Sequence, residues 1–171
     1  MNTLEAIKTR HSYRGAYKSD AIPEGDLVKI LDAGLRAPSG CNAQTTSFIV
    51  VTCPTLRAQI AEVLPNVMTE TAPVLVVAVT QKVTFDFGLD FELEDYGAAV
   101  ENILLAVTAL GYASCWLDGQ TRLGGVAEKL AALLGVEENM QVRSILPIGI
   151  PVEKRTQPVR KPFDERVQWR R

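Results

Sequence analysis

The feature that most restricts what this chain can fold into is the segment from Ala98 to Leu110, where only Glu101, Asn102 and Thr108 are polar. A helix that is apolar nearly all round must be covered on most of its circumference. Glu92, Glu94 and Asp95 stand before it, where they complement a helix N-terminus, and Gly111 stands where a C-terminal cap belongs. At about a dozen residues, with polar interruptions, the run is too short to span a bilayer. Gly97, Ala98, Ala99, Ala106 and Ala109 are small, so a second helix, from the same chain or another copy, can approach closely. After Gly111 the pattern becomes a short apolar strand, Tyr112 to Leu117, stopping at Asp118-Gly119. A covered helix that feeds a strand ending on a glycine turn is a suitable place for a site.

The 171 residues suit a single domain with a sizeable core. A hydrophobic fraction of 47%, a charged fraction of 22% and a net charge of −2 are ordinary for a globular protein. They argue against a nucleic-acid or membrane-surface partner. Three cysteines, Cys41, Cys53 and Cys115, form no Cys-x-x-Cys pair. That favours a reduced cytoplasm over a disulfide framework or a metal site, and the first residues carry no apolar signal core.

In chain order, Asn2 to Thr9 reads as a helix with a capping box between Asn2 and Glu5. It ends in Arg10-His11-Ser12-Tyr13-Arg14-Gly15. Arg10 and Ser12 are of the types that grip phosphate; the same residues also read as a solvated basic helix end. His11 is the only histidine, and it adjoins Ser12, so the two point to different sides; with no nucleophile elbow, this argues against a Ser-His-Asp hydrolase. Pro23 to Ala37 reads as a second helix, with Leu27, Ile30, Leu31 and Leu35 on one face. The loop Ala37 to Thr46 then offers Ser39, Asn42 and Gln44 as polar groups and Gly40 for close backbone approach; it reads equally as plain turn chemistry.

Ser47 to Thr52 reads as a strand, Pro54 to Leu64 as a helix, and Pro73 to Thr80, apolar on both faces, as a central strand. Gln81 to Asp90 is a loop carrying Phe85 and Phe87. Thr121 to Leu134 is an amphipathic helix weakened by Gly124-Gly125, and Val142 to Ile150 is a last strand. The tail, Val152 to Arg171, is basic and proline-punctuated, with Val167 and Trp169 apolar enough to dock on something. No Gly-x-Gly-x-x-Gly turn follows a strand, which argues against a dinucleotide-binding fold.

Taken together, these pieces resemble the nitroreductase family of FMN-dependent oxidoreductases over nearly the whole chain. The resemblance rests on Arg10 to Arg14, on Ala37 to Gln44, on the helix with Asn102 leading to Gly111 and Trp116, and on Gly149-Ile150-Pro151 followed by Arg160-Lys161-Pro162. It implies an α+β three-layer sandwich, with a mixed, mainly antiparallel sheet flanked by helices. It also implies an intertwined homodimer whose C-terminal tails reach across to the partner.

By the same resemblance Arg10, His11, Ser12, Arg160 and Lys161 surround the FMN phosphate. Arg14 places a cation at the flavin N1–O2 edge, where reduction creates negative charge. Pro38, Ser39, Gly40, Asn42 and Gln44 meet the flavin, partly from the other subunit, and Leu117, Asp118 and Gly119 lie beside the ring near N5. Arg14, Asp118 and Gly119 are the residues closest to the chemistry. The implied activity is hydride uptake from NADH or NADPH and ping-pong reduction of a small acceptor such as a nitro compound or quinone. Reductive dehalogenation, flavin fragmentation and flavin storage with little turnover are the alternatives. Two departures stand out: Thr45 and Thr46 replace the family's Pro and aromatic, and the segments that cover the substrate shrink to 63–72 and 81–90.

Overall fold

A computed structural model describes residues 1–171. The strand β2 (Val74–Gln81) is buried at every residue from Val74 to Thr80. Its side chains alternate between two separate cores: Leu75, Val77 and Val79 face one, while Val74, Val76 and Ala78 face the other. That alternation makes the molecule a three-layer sandwich. A strand apolar on both faces has to be central, and β2 lies between β1 (Thr46–Val51) and β4 (Met140–Gly149), with the short β3 (Ala113–Ser114) beyond β4. All three strand pairings are antiparallel, and a single bridge between Ser12 and Ser114 is parallel. The β2–β4 register shifts by a bulge between Ala78 and Val79.

One face of the sheet carries α2 (Glu24–Leu35) and α5 (Glu92–Ala109). Ile30, Tyr96, Val100, Ile103, Leu104 and Val107 meet Leu146 and Ile148 there. Asn102 ties the two helices together by donating from Nδ2 to the carbonyl of Ala33 at 3.1 Å. The other face carries α3 (Pro54–Val63), α4 (Val67–Thr71) and α6 (Val126–Leu134), which bring Ile60, Met68 and Leu130 onto Leu75, Val77 and Ile145. Each such fully buried aliphatic side chain contributes about 1.5–3 kcal/mol through removal of apolar surface from water. α1 (Thr3–Thr9) has the full capping box of Asn2 and Glu5. No helix is long and apolar enough to cross a membrane.

Three local expectations change. The segment 63–72, read only as a reduced substrate cover, contains α4, which Asn66 caps by accepting from the N–H groups of Met68 and Thr69. The expected strand 112–117 narrows to Ala113–Ser114, and Leu117 rejoins β4 through its own pair of bonds to Ile145. The helix expected from Thr121 begins at Val126, because Gly124 and Gly125 adopt φ of 59° and 70°, outside helical geometry. The tail makes a 3-10 turn at Phe163–Glu165 and is otherwise irregular.

Candidate active site

The site is built on two segments that flank α5. The first follows α1. Burial alternates along residues 12–17, with Tyr13, Gly15 and Tyr17 buried, while Ser12 is half-buried and Arg14 exposed. Period-two alternation therefore sends Ser12 and Arg14 to the same side. The buried tyrosines hold the segment in place: their rings meet edge to face at 5.1 Å, Tyr13 Oη donates to the carbonyl of Ala16 at 2.7 Å, and Tyr17 Oη donates to the carbonyl of Pro147 at 3.2 Å. The Tyr13 N–H donates to the carbonyl of Ser114, which places the segment beside β3. Burial drives the Tyr17 hydroxyl far above the ordinary tyrosine range.

Arg10 is half-buried and its Nε lies 3.0 Å from a carboxylate oxygen of Glu101 on α5. Its carbonyl accepts from Gln157 Nε2 at 2.7 Å, so the tail passes Arg10 three residues before Arg160 and four before Lys161, both exposed. Arg14 makes no ion pair. His11 is half-buried, with Nδ1 3.1 Å from the carbonyl of Thr9. The hydroxyl of Ser114, paired in register with Ser12, is buried and has no hydrogen-bond partner in the chain. Beside it Cys115 is buried, and burial raises its thiol above the usual range.

β3 leads to Trp116, Leu117, Asp118 and Gly119. Trp116 donates from Nε1 to Tyr96 Oη at 2.6 Å, and the two rings meet edge to face at 5.4 Å, fixing this stretch against α5. The N–H and carbonyl of Leu117 are both used by Ile145. The N–H groups of Asp118 and Gly119 have no acceptor within the chain. The Asp118 carboxylate is held bidentately by Arg122, with Nη2 at 2.6 Å.

The second segment is the loop before β1. Cys41, Asn42 and Gln44 have φ of 51°, 55° and 51°. Left-handed backbone at three non-glycine residues in four costs about 1 kcal/mol or more at each and persists only where the surroundings impose it. Ser39 Oγ accepts from the Gln44 N–H at 3.1 Å. Asp95, on the first turns of α5, accepts from the Gly40 N–H at 2.7 Å and from the Thr45 hydroxyl at 2.9 Å. Pro38, Ser39, Gln44, Thr46 and Asp95 line a cleft of about 280 Å³, and the buried Thr46 hydroxyl there has no partner.

The structure thus sets Arg10, His11, Ser12 and Arg14 in one run beside β3, with Ser12 bridged to Ser114, and it gathers Pro38 to Gln44 into one loop. It does not bring the two groups into one pocket. Their anchors on α5, Glu101 and Asp95, are about 9 Å apart along the axis and roughly 120° apart around it. Asp95, Tyr96 and Glu92 were missed as site or framework residues. The sequence presents Asp95 and Glu92 as solvated first-turn acids, yet both are buried, and Glu92 is bound by Arg143 and Thr80.

A model of the Nitroreductase family matches residues 7–84 and 63–150. A candidate NADH dehydrogenase/NAD(P)H nitroreductase of Methanothermobacter thermautotrophicus is 35% identical over 158 residues, 90% of this chain and 79% of that protein. The crystal structure of a candidate protein of the same description from Parabacteroides distasonis superposes with a TM-score of 0.84 at 26% identity, over 99% of this chain and 98% of that one. The NADPH:FMN oxidoreductase of Vibrio harveyi, solved with NAD+, gives a TM-score of 0.83 at 24% identity over 100% of this chain and 78% of that one. The family match over most of the chain and the 35% identical relative place the chain in the nitroreductase family of oxidoreductases.

Proposed function

We propose that this chain works as a homodimer holding noncovalent FMN, takes electrons from NADH or NADPH, and passes them to a small acceptor such as a nitro compound or quinone in ping-pong fashion. The observation that carries this reading is the pinned segment 12–17. Tyr13 and Tyr17 fix it from one side, and Ser12 and the unpaired Arg14 project from the other, next to Ser114 and Cys115, which lead to the free N–H groups of Asp118 and Gly119.

The residues present fit a flavin mononucleotide. Arg10, His11, Ser12, Arg160 and Lys161 suit a phosphate, and the absence of a Gly-x-Gly-x-x-Gly turn disfavours a dinucleotide. The unpartnered Thr46 hydroxyl marks a polar edge in the loop cleft. At about 280 Å³ that cleft lies just under the roughly 300 Å³ where ligand pockets begin. It suits one edge of a ring system, with the remainder met by a second copy. That division agrees with the placement of the two segments on different sides of α5.

FMN, when bound, supplies the two-electron chemistry. The chain's own residues bind and bias it. Arg10 and Ser12 neutralise the phosphate. Arg14 keeps a fixed cation at the edge where negative charge develops on reduction. The N–H groups of Asp118 and Gly119 offer fixed donors at the ring, whereas the Leu117 N–H is already spent on Ile145. No side chain is required as a nucleophile. Phe85, Phe87 and Phe91 cluster beside Gly40, with the first two rings stacked at 5.3 Å, and give the acceptor an aromatic wall that the Thr45-Thr46 loop lacks.

The test is the visible spectrum of the purified protein, followed by denaturation, chromatography of the released cofactor, and bleaching by NADH against NADPH. Released FMN and a bleachable spectrum are expected. FAD, or a colourless protein that takes up no FMN, refutes the reading. Steady-state turnover with menadione separates a catalyst from a flavin carrier.

A further inference from the structure

We infer that Asp95 is a positioning residue for the flavin, the clamp that keeps the loop 39–45 in its binding-ready shape. This rests on the proposal that the loop meets FMN. Asp95 is 5% exposed, and no cation pairs with it. Its two oxygens are divided between the two ends of the strained stretch: one accepts from the Gly40 N–H, the other from the Thr45 hydroxyl. Between those anchors lie the three left-handed residues Cys41, Asn42 and Gln44.

Phe91, the residue that caps the start of α5, lies four residues before Asp95, and its carbonyl accepts from the Asp95 N–H at 2.9 Å. A Cβ on Gly40 would overlap its ring, so Gly40 is held by contact on one side and by the carboxylate on the other. Besides Asp95 and the 3-10 turn itself, relaxation is opposed by the Ser39–Gln44 bond, a 3.4 Å contact from Gln44 Nε2 to the carbonyl of Asn42, and the Gln81 N–H, which donates to the carbonyl of Thr45 at 2.9 Å and holds only that end of the loop. A chain without the clamp would relax toward ordinary backbone angles and would have to be re-ordered each time FMN binds. Pre-forming the loop removes that ordering cost from binding.

The test uses the full-length dimer stripped of FMN. Asp95→Ala, Asp95→Asn, Ser39→Ala and Gln44→Ala are each titrated with FMN, followed for FMN dissociation, and compared by amide exchange at residues 40–45 and in β2. Asp95→Ala is expected to weaken FMN binding at least tenfold, mainly through faster dissociation. It should speed exchange of the Gly40 amide at least tenfold while the β2 amides keep their protection. Asp95→Asn can still accept from Gly40 and donate to Thr45, and should restore most of both.

Wild-type exchange at Gly40 in Asp95→Ala overturns the inference. Equal loss of protection in β2 also overturns it, because Asp95 would then be a general stability residue. Weak FMN binding by Ser39→Ala and Gln44→Ala, with wild-type binding by Asp95→Ala, refutes the clamp and leaves the flavin loop intact. Wild-type binding by Ser39→Ala and Gln44→Ala refutes the loop's contact with flavin, and the exchange data still judge the clamp. Should Asp95→Ala not fold, Thr45→Val, which removes one of the two contacts, is expected to show a smaller change in the same direction, and no change overturns the inference.

Discussion

The loop 39–45 and the tail from Val152 onward are both irregular, yet they are held in opposite ways. The loop is fixed by its own chain through Asp95, Ser39 and the Phe91 ring, tightly enough to keep three residues in a costly conformation. The tail touches the body through Glu153, Arg155 and Gln157, then leaves it. Val159 is 100% exposed, Trp169 69% and Phe163 62%. In the proposed dimer the partner would cover these exposed apolar side chains. Order in the loop is a property of one chain. In the proposed dimer, order in the tail is a property of two.

The harshest test of that contrast is a chain ending at Lys161. It keeps the two basic tail residues and loses Phe163, Val167 and Trp169. It should keep its far-ultraviolet spectrum, become largely monomeric by light scattering, and lose FMN on gel filtration. A truncated protein that stays dimeric and yellow would dissolve the contrast.

Next in size is Arg10→Ala. Loss of a charge-assisted contact should weaken FMN binding by about 1.5–3 kcal/mol, with nearly normal reaction once saturated. Arg14→Ala should instead lower the flavin potential and slow reduction by NAD(P)H, with less effect on binding of oxidised FMN. Lysine should rescue position 14 better than position 10, where the planar fork matters. Equal effects of both alanines on affinity and potential would erase the division of labour.

A smaller change tests whether Arg10 is already engaged. Glu101→Gln removes its half-exposed partner and should tighten FMN binding about 1.5- to 5-fold, the range of a surface ion pair, with a steeper salt dependence. Weaker binding would mean that Glu101 orients Arg10 and does not compete for it.

The smallest expected effect is on thiol labelling. Cys41 sits exposed in the loop, and FMN should slow its alkylation a few-fold. Cys53, exposed at the start of α3, is the internal standard. Hydrogen bonds from the backbone of Leu56, then Thr55, hold its thiol below the usual range, so near neutral pH more of it is thiolate. Cys115, buried and raised, should label only when the chain unfolds. Peptide mapping after a short iodoacetamide pulse reads all three.

Much of this architecture was legible in the residues. The two-faced apolar run of β2, the Asn2–Glu5 capping box and the covered α5 all follow from local pattern and hold in the structure. Local pattern fails where a residue's partner lies far along the chain. Asp95 and Glu92 look like any acids in a first helical turn; only the arrival of Gly40, Thr45, Thr80 and Arg143 makes them buried acceptors. α4 was missed because five residues after Pro65 carry too little periodicity to register. β3 was overdrawn because an apolar run does not reveal that its partner strand ends at Gly149. The group Arg10, His11, Ser12 and Arg14 was singled out by residue type alone. That it and the loop sit on different sides of α5 was not, since spacing along a sequence says nothing of direction around a distant helix.

The pairing of β2 with β4 bears on how the chain reaches this state. Val74 meets Ile148 and Gln81 meets Met140, so the central ladder encloses all of α5 and α6. Closing so long a loop brings a large entropic cost before any pairing rewards it. Helices α5 and α6 can form early from contacts near in sequence, but the ladder that makes them useful comes late. During that interval the edge of β2 that β4 will cover has no partner, and a nascent chain at high concentration has its greatest opportunity to pair with a neighbour's strand.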